Sequence, residues 1–315
     1  MHIAARRATP AAAVLLALSL APAACSTNPA TGRTQFNALT REQEIAIGQE
    51  AIPQLIQEFG GEIPSPRLQA YVDEVGRRIA NYTEADNPSL PWEFTALNGP
   101  EVNAFALPGG KVFISRGMLE AMENEAQLAA VLAHEIGHVT ARHVNERYSQ
   151  ELGLSLGASI IGGVLGDGGT TAQIAGAATQ IGGSLVLLSF NREQELQADE
   201  LGMRYMTRAG YDPYGMLQMM QILEQESQGR GGLEFFSTHP HPETRIEAIQ
   251  RRLSTEYAHT QGNPEFRLNP ERYQQNVTSE LGRQSLAPAT THPTRLLHRL
   301  ALNDPTTWCA HCATK

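Results

Sequence analysis

The sequence predicts an α+β domain, mainly helical around a small sheet, and three features carry that prediction. Apolar residues recur at helical spacing through most of residues 40–257. Three short β-rich runs, at 92–97, 102–107 and 111–115, cluster between two helical segments. A His-Glu-x-x-His pattern at 134–138 lies inside one of the helical segments, and only a helix puts residues four apart on one face. A composition of 41% hydrophobic and 18% charged residues over 315 positions suits a chain with a substantial core. The formal net charge of −9 argues against nucleic acid as a partner. The three cysteines, at 25, 309 and 312, are too few for a disulfide framework.

In chain order, residues 1–24 read as an export signal: Arg6 and Arg7, an apolar run from Ala11 to Leu20, then small residues. Cys25 is the candidate lipidation site, with plain cleavage after Ala23 or Ala24 as the alternative. Residues 25–39 read as a linker. Thr40 and Gln43 form a capping box for a first helix that Gly60 stops. Ser65-Pro66 opens a second, whose stripe is Leu68, Tyr71, Val72, Val75 and Ile79. The three strands follow, with Pro108-Gly109-Gly110 as the turn between the last two. Asn124 caps the helix that carries the His-Glu-x-x-His pattern.

From Leu152 to Phe190 the chain is rich in Gly, Ala, Ile and Leu, with Asp167 its one charged residue. It reads as two packed helices, or alternatively as a membrane-dipping hairpin, since no run reaches the length of a clear span. Helices resume at 192–209, 213–226 and 242–257. The polar stretch 258–315 reads as a loosely attached, partly disordered tail with short helices. Its Cys309 and Cys312 fit a local disulfide or a tail without function.

The chemistry concentrates at His134, Glu135 and His138. Two imidazoles one helical turn apart can share a metal ion, with Glu135 beside it as general base. Three protein ligands and an open position make a catalytic zinc site. The metzincin continuation is absent, because Ala141 and Val144 stand where it needs Gly and His. His143 is out of register with the pair. A carboxylate from a later helix can complete the site: Glu195 as ligand, and Asp199 four residues on, accepting the spare N–H of a ligand histidine. Glu193 is less favourably placed on that helix. The fold class is then a zincin-like domain with this motif on a central helix, holding one Zn2+ per chain.

Several segments resemble the HtpX and CAAX-prenyl-protease (Ste-type) family of zinc metallopeptidases: the 134–138 motif, Arg192 to Asp199, Thr238-His239-Pro240 with Arg245-Ile246, and Val102 to Gly110. Cys25 to Gly32 resembles the start of its periplasmic lipoprotein branch. The likeness covers residues 25–257; Asn191 stands where the family often has Ser, and the tail is shorter than the helical repeats of many members. The resemblance implies that His239 lies near the metal, as a second donor for a developing oxyanion, a resting ligand or a structural loop residue. A peptide substrate is expected to add along the edge strand Val102 to Leu107, with Asn103, Ala104 and Phe105 nearest the site; the alternative is a core strand with no substrate contact. Arg245 is expected as a structural ion-pair partner, and His241 as exposed.

The implied activity is zinc-dependent hydrolysis of peptide bonds in unfolded or misassembled periplasmic and outer-membrane proteins, an envelope quality-control role. The implied place is the periplasm, anchored to the outer membrane if Cys25 is acylated. Two rivals stand beside it: a zinc-containing periplasmic chaperone or assembly factor with little turnover, and an intramembrane protease using the 152–190 stretch as a span.

Overall fold

Both faces of the central sheet are apolar, which forces it between two helical layers. In a computed structural model the described residues are 25–84, 89–153, 189–230, 234–240 and 242–283. The export signal, residues 154–188, His241, Cys309 and Cys312 lie outside them. The sheet holds β3 (Glu93–Leu97), β4 (Ala104–Leu107) and β5 (Lys111–Ser115) in the order β3-β5-β4. β3 runs parallel to β5, and β4 runs antiparallel to it with Phe105 opposite Phe113. The connecting turn needs glycine: Gly109 and Gly110 have φ of 80° and 89°, and a Cβ on Gly109 would lie 2.5 Å from the Cα of Ile45.

Alternation sorts the strand residues. Phe94, Ala96, Ala104, Val112 and Ile114 join the main core, while Leu97, Phe105, Leu107 and Phe113 face Ala51, Ile52, Leu55 and Phe59 of helix α1 (Arg41–Glu58). On the main-core side lie α2 (Pro66–Ala80) and, after the short α3 (Arg116–Glu120), α4 (Glu125–Thr140). Every residue of α4 is buried, as expected of a helix that is apolar nearly all round. Packed along it is α5 (Arg192–Arg208), followed by α6 (Tyr214–Arg230), α7 (Glu234–Thr238) and α8 (Pro242–Ser254). Close α4–α5 contact relies on missing side chains: a Cβ on Gly137 would stand 2.8 Å from the carbonyl of Ala198, and one on Gly202 would stand 3.1 Å from the backbone of Ala133.

Two segments differ from their sequence reading. Residues 25–39 are not a free linker. Strands β1 (Cys25–Thr27) and β2 (Thr34–Phe36) pair antiparallel, and Asn28 Nδ2 and Gln35 Nε2 donate to the carbonyls of Thr140 and Ala141 at 3.0 and 2.9 Å. The hairpin thereby satisfies the orphan carbonyls at the end of α4. Residues 258–283 are not loosely attached either. Tyr273, Val277 and Leu281 enter the main core, and Tyr273 Oη donates to the carbonyl of Leu119 at 2.6 Å. Among the described residues no helix is long and apolar enough to cross a membrane.

Candidate active site

The site is assembled from α4, α5 and the segment that leaves α7. One turn of α4 separates His134 from His138, whose Nε2 atoms stand 3.0 Å apart. Asn191 caps α5 in a reciprocal box with Gln194, so the substitution relative to the resembled family keeps the capping function. The cap seats Glu195 in the first turn, with Oε1 3.4 Å from His138 Nε2 and Oε2 3.6 Å from His134 Nε2. His239, just past α7, brings Nδ1 to 3.1 Å from Glu195 Oε1 and 3.3 Å from His134 Nε2. The donor atoms of His134, His138, Glu195 and His239 all lie within 4.8 Å of one another, and all four side chains are buried. Phe190 stacks on His138 with ring centroids 3.9 Å apart, and Phe235 stacks on His239 at 4.4 Å.

A ring of charges holds these donors. His134 Nδ1 donates to Asp199 Oδ1 at 2.8 Å, which leaves its Nε2 as a lone pair facing the cluster. Arg245 clamps Asp199 through Nε and a terminal nitrogen, both at 2.7 Å, and its other terminal nitrogen lies 2.7 Å from Glu195 Oε2. The expected ion-pair role of Arg245 is therefore seen on two acceptors. Burial works against ionisation of Glu195 and Asp199, but the guanidinium of Arg245 and the neighbouring histidines hold both carboxyls below the usual range. Burial pushes the imidazole of His138 well down, into the neutral form a ligand needs. Burial also disfavours charge on His239, yet Glu195 and Glu135 outweigh it and raise the pKa. The carboxyl of Glu135 is pushed up by burial, against the pull of His239 and His134.

The cluster fits a divalent cation. Two imidazole Nε2 atoms 3.0 Å apart, a carboxylate beside them, and Glu135 Oε1 buried without a hydrogen-bond partner make a set that a cation would satisfy. Three nitrogens and a carboxylate are donors that zinc accepts.

Other expectations fare differently. Glu193 points outward and pairs with Arg33 at 2.9 Å. In the expected substrate strand, Phe105 packs its ring against Phe59 and Phe113 at 5.0 and 5.1 Å, so its side chain belongs to the core. Asn103 and Ala104 are buried as well. Instead, Ala106 and Leu107 lie with His138 around the small cleft closed by Pro108 and Gly109. The strand β4 is nonetheless an edge of its sheet. Sequence reading passed over Gln197 and set His143 out of register with the pair, yet His143 lies against His138 and Gln197 against His143. Helical register carried no signal for either.

A buried His2-carboxylate cluster with an adjacent free glutamate, on a helix packed against a small sheet, defines the zincin class of metal-dependent hydrolases. Residues 66–253 match the model of Peptidase family M48, and the chain belongs to that family, whose metalloproteases use zinc. It is 33% identical over 236 residues to the mitochondrial metalloendopeptidase OMA1 of Schizosaccharomyces pombe, covering 71% of this chain and 65% of that protein. It is 30% identical over 235 residues to the beta-barrel assembly-enhancing protease of Escherichia coli, covering 72% of this chain and 47% of that protein. The chain thus spans between about half and two thirds of the length of these curated relatives. The match to family M48 does not single out the HtpX and CAAX-prenyl-protease grouping that the motifs resemble.

Proposed function

We propose that this chain is a zinc-dependent endopeptidase that cleaves unfolded or misassembled proteins of the bacterial envelope. The observation that carries the reading is the convergence of His134, His138, Glu195 and His239 within 4.8 Å, beside Glu135, whose Oε1 has no hydrogen-bond partner. His134, His138 and Glu195 would hold a zinc ion, which when bound would supply carbonyl polarisation and a lowered pKa, about 7, for water. Glu135 takes the proton from the attacking water and returns it to the departing amine, so one carboxylate serves both halves of the reaction. Asp199, clamped by Arg245, keeps His134 in the tautomer that offers Nε2. In this conformation His239 Nδ1 sits among the metal donors and Nε2 lies 3.6 Å from Glu135 Oε1. His239 is a resting ligand that withdraws to admit substrate. An extended substrate adds as a strand along β4, beside Ala106 and Leu107.

The name of the Escherichia coli relative and the export-signal pattern before Cys25 support an envelope role and periplasmic placement. Acylation of Cys25 would anchor the protein to the outer membrane, and mass spectrometry of the mature N-terminus tests that. The function itself is tested by digesting an unfolded protein with the wild type, Glu135→Gln and His239→Ala. Glu135→Gln is expected to lower turnover by about 10²–10⁴-fold with metal content unchanged, and His239→Ala to raise it. Equal turnover in wild type and Glu135→Gln would leave a chaperone-like holder of unfolded chains as the better reading.

A further inference from the structure

His138 makes a contact that the metal-donor set does not use. Its second ring nitrogen, Nδ1, lies 2.9 Å from Nδ1 of His143, and Nε2 of His143 lies 3.0 Å from Oε1 of Gln197. His143 is fully buried, and Gln197 sits on α5 between Glu195 and Asp199. Had α4 continued, His143, five residues beyond His138, would have pointed away from it. The chain instead turns at Arg142, a non-glycine residue with φ of 59°. That backbone is pinned from outside: Arg142 Nε donates to Glu44 Oε1 at 3.1 Å, and a terminal nitrogen donates to the carbonyl of Leu39 at 2.8 Å. Asn145 Nδ2 binds the same two acceptors, at 2.9 Å on Glu44 and 2.8 Å on Leu39. A strained turn held by buried partners thus delivers one imidazole to the back of another.

We propose that His143 and Gln197 are positioning residues for the metal site, forming a relay that fixes the tautomer and orientation of His138. The amide oxygen of Gln197 only accepts, so Nε2 of His143 carries the proton and Nδ1 of His143 is the acceptor. Nδ1 of His138 must then donate, and its Nε2 presents a lone pair to the cation. The relay does for His138 what Asp199 does for His134, using a neutral acceptor in place of a carboxylate. A neutral acceptor adds no further negative charge to a pocket that already holds Glu135, Glu195 and Asp199.

This inference rests on the reading of the cluster as a metal centre, and the test separates the two. Zinc affinity is measured by competition with a chromogenic chelator on the purified full chain, alongside thermal unfolding of the metal-free protein. His143→Ala is expected to bind zinc about 10–100-fold more weakly than wild type, while His143→Gln, whose amide oxygen can accept from His138, retains most of the affinity. Gln197→Glu, which can only accept, retains wild-type affinity, and Gln197→Lys, which can only donate, loses affinity about tenfold or more. Gln197 is partly exposed, so its variants report on the relay without opening the core. Zinc affinity of His143→Ala within threefold of wild type, or of Gln197→Lys equal to Gln197→Glu, would overturn the relay. Absence of zinc binding by the wild type would instead remove the underlying metal centre.

Discussion

The two ends of α4 each bury a glutamate, and they solve the problem in opposite ways. At the first turn, Glu125 accepts from Tyr71 Oη at 2.7 Å, Asn269 Nδ2 at 3.0 Å and Arg272 at 3.1 Å. Its negative charge also sits favourably at a helix N-terminus. Nothing is left over for a ligand. At the last turns, Glu135 Oε1 has no hydrogen-bond partner, and two imidazole nitrogens face each other. Buried charge with complete partners is architecture, while buried charge with donors to spare needs an outside group. The contrast makes the metal end of the helix legible as a site.

Arg245→Ala attacks the metal end hardest. It strips a fully buried guanidinium from Asp199 and Glu195 and leaves two carboxylates uncompensated. A loss of about 3–5 kcal/mol in the metal-free protein is expected, read by urea unfolding, with a smaller loss when zinc is bound. A pH scan of the metal-free protein comes next. His143 stays neutral in the fold down to a pKa of about 4, against 6.5 as its ordinary value, because of its burial. The unfolded chain therefore binds more protons between pH 6.5 and 4, so stability rises with pH there and is lost as pH falls through that window. The full contribution is about 3 kcal/mol, and His143→Gln should flatten the slope. Glu125→Gln is the mildest. It keeps the shape but weakens three hydrogen bonds, for about 1–3 kcal/mol, and zinc affinity per folded molecule should not change. A change in zinc affinity would break the distinction between the two ends.

Much of this was legible in the sequence because helical periodicity and capping speak locally. Thr40 and Asn124 cap their helices, and the stripe from Leu68 to Ile79 is buried. His134 and His138, and Glu195 and Asp199, met as their four-residue spacings suggested. What stayed hidden depends on contacts distant in sequence or on one backbone angle. Asn28 and Gln35 look like loop residues until the end of α4 is in place to receive them. Tyr273, Val277 and Leu281 are three apolar residues in a polar stretch, and a π-helical turn at Gln274–Thr278 lies within their path into the core. His143 was invisible because the left-handed Arg142 resets the helical register just before it. The core packing of the Phe105 ring was not legible either, because alternation fixes which residues share a face but not which neighbours that face meets.

The most direct test is zinc stoichiometry by metal analysis on the wild type and Glu195→Gln, paired with their thermal unfolding with and without zinc. The account predicts one zinc per wild-type chain with a raised Tm, and loss of both in Glu195→Gln. Full zinc binding and an unchanged zinc-dependent Tm in Glu195→Gln would contradict the assignment of the buried cluster as the metal centre.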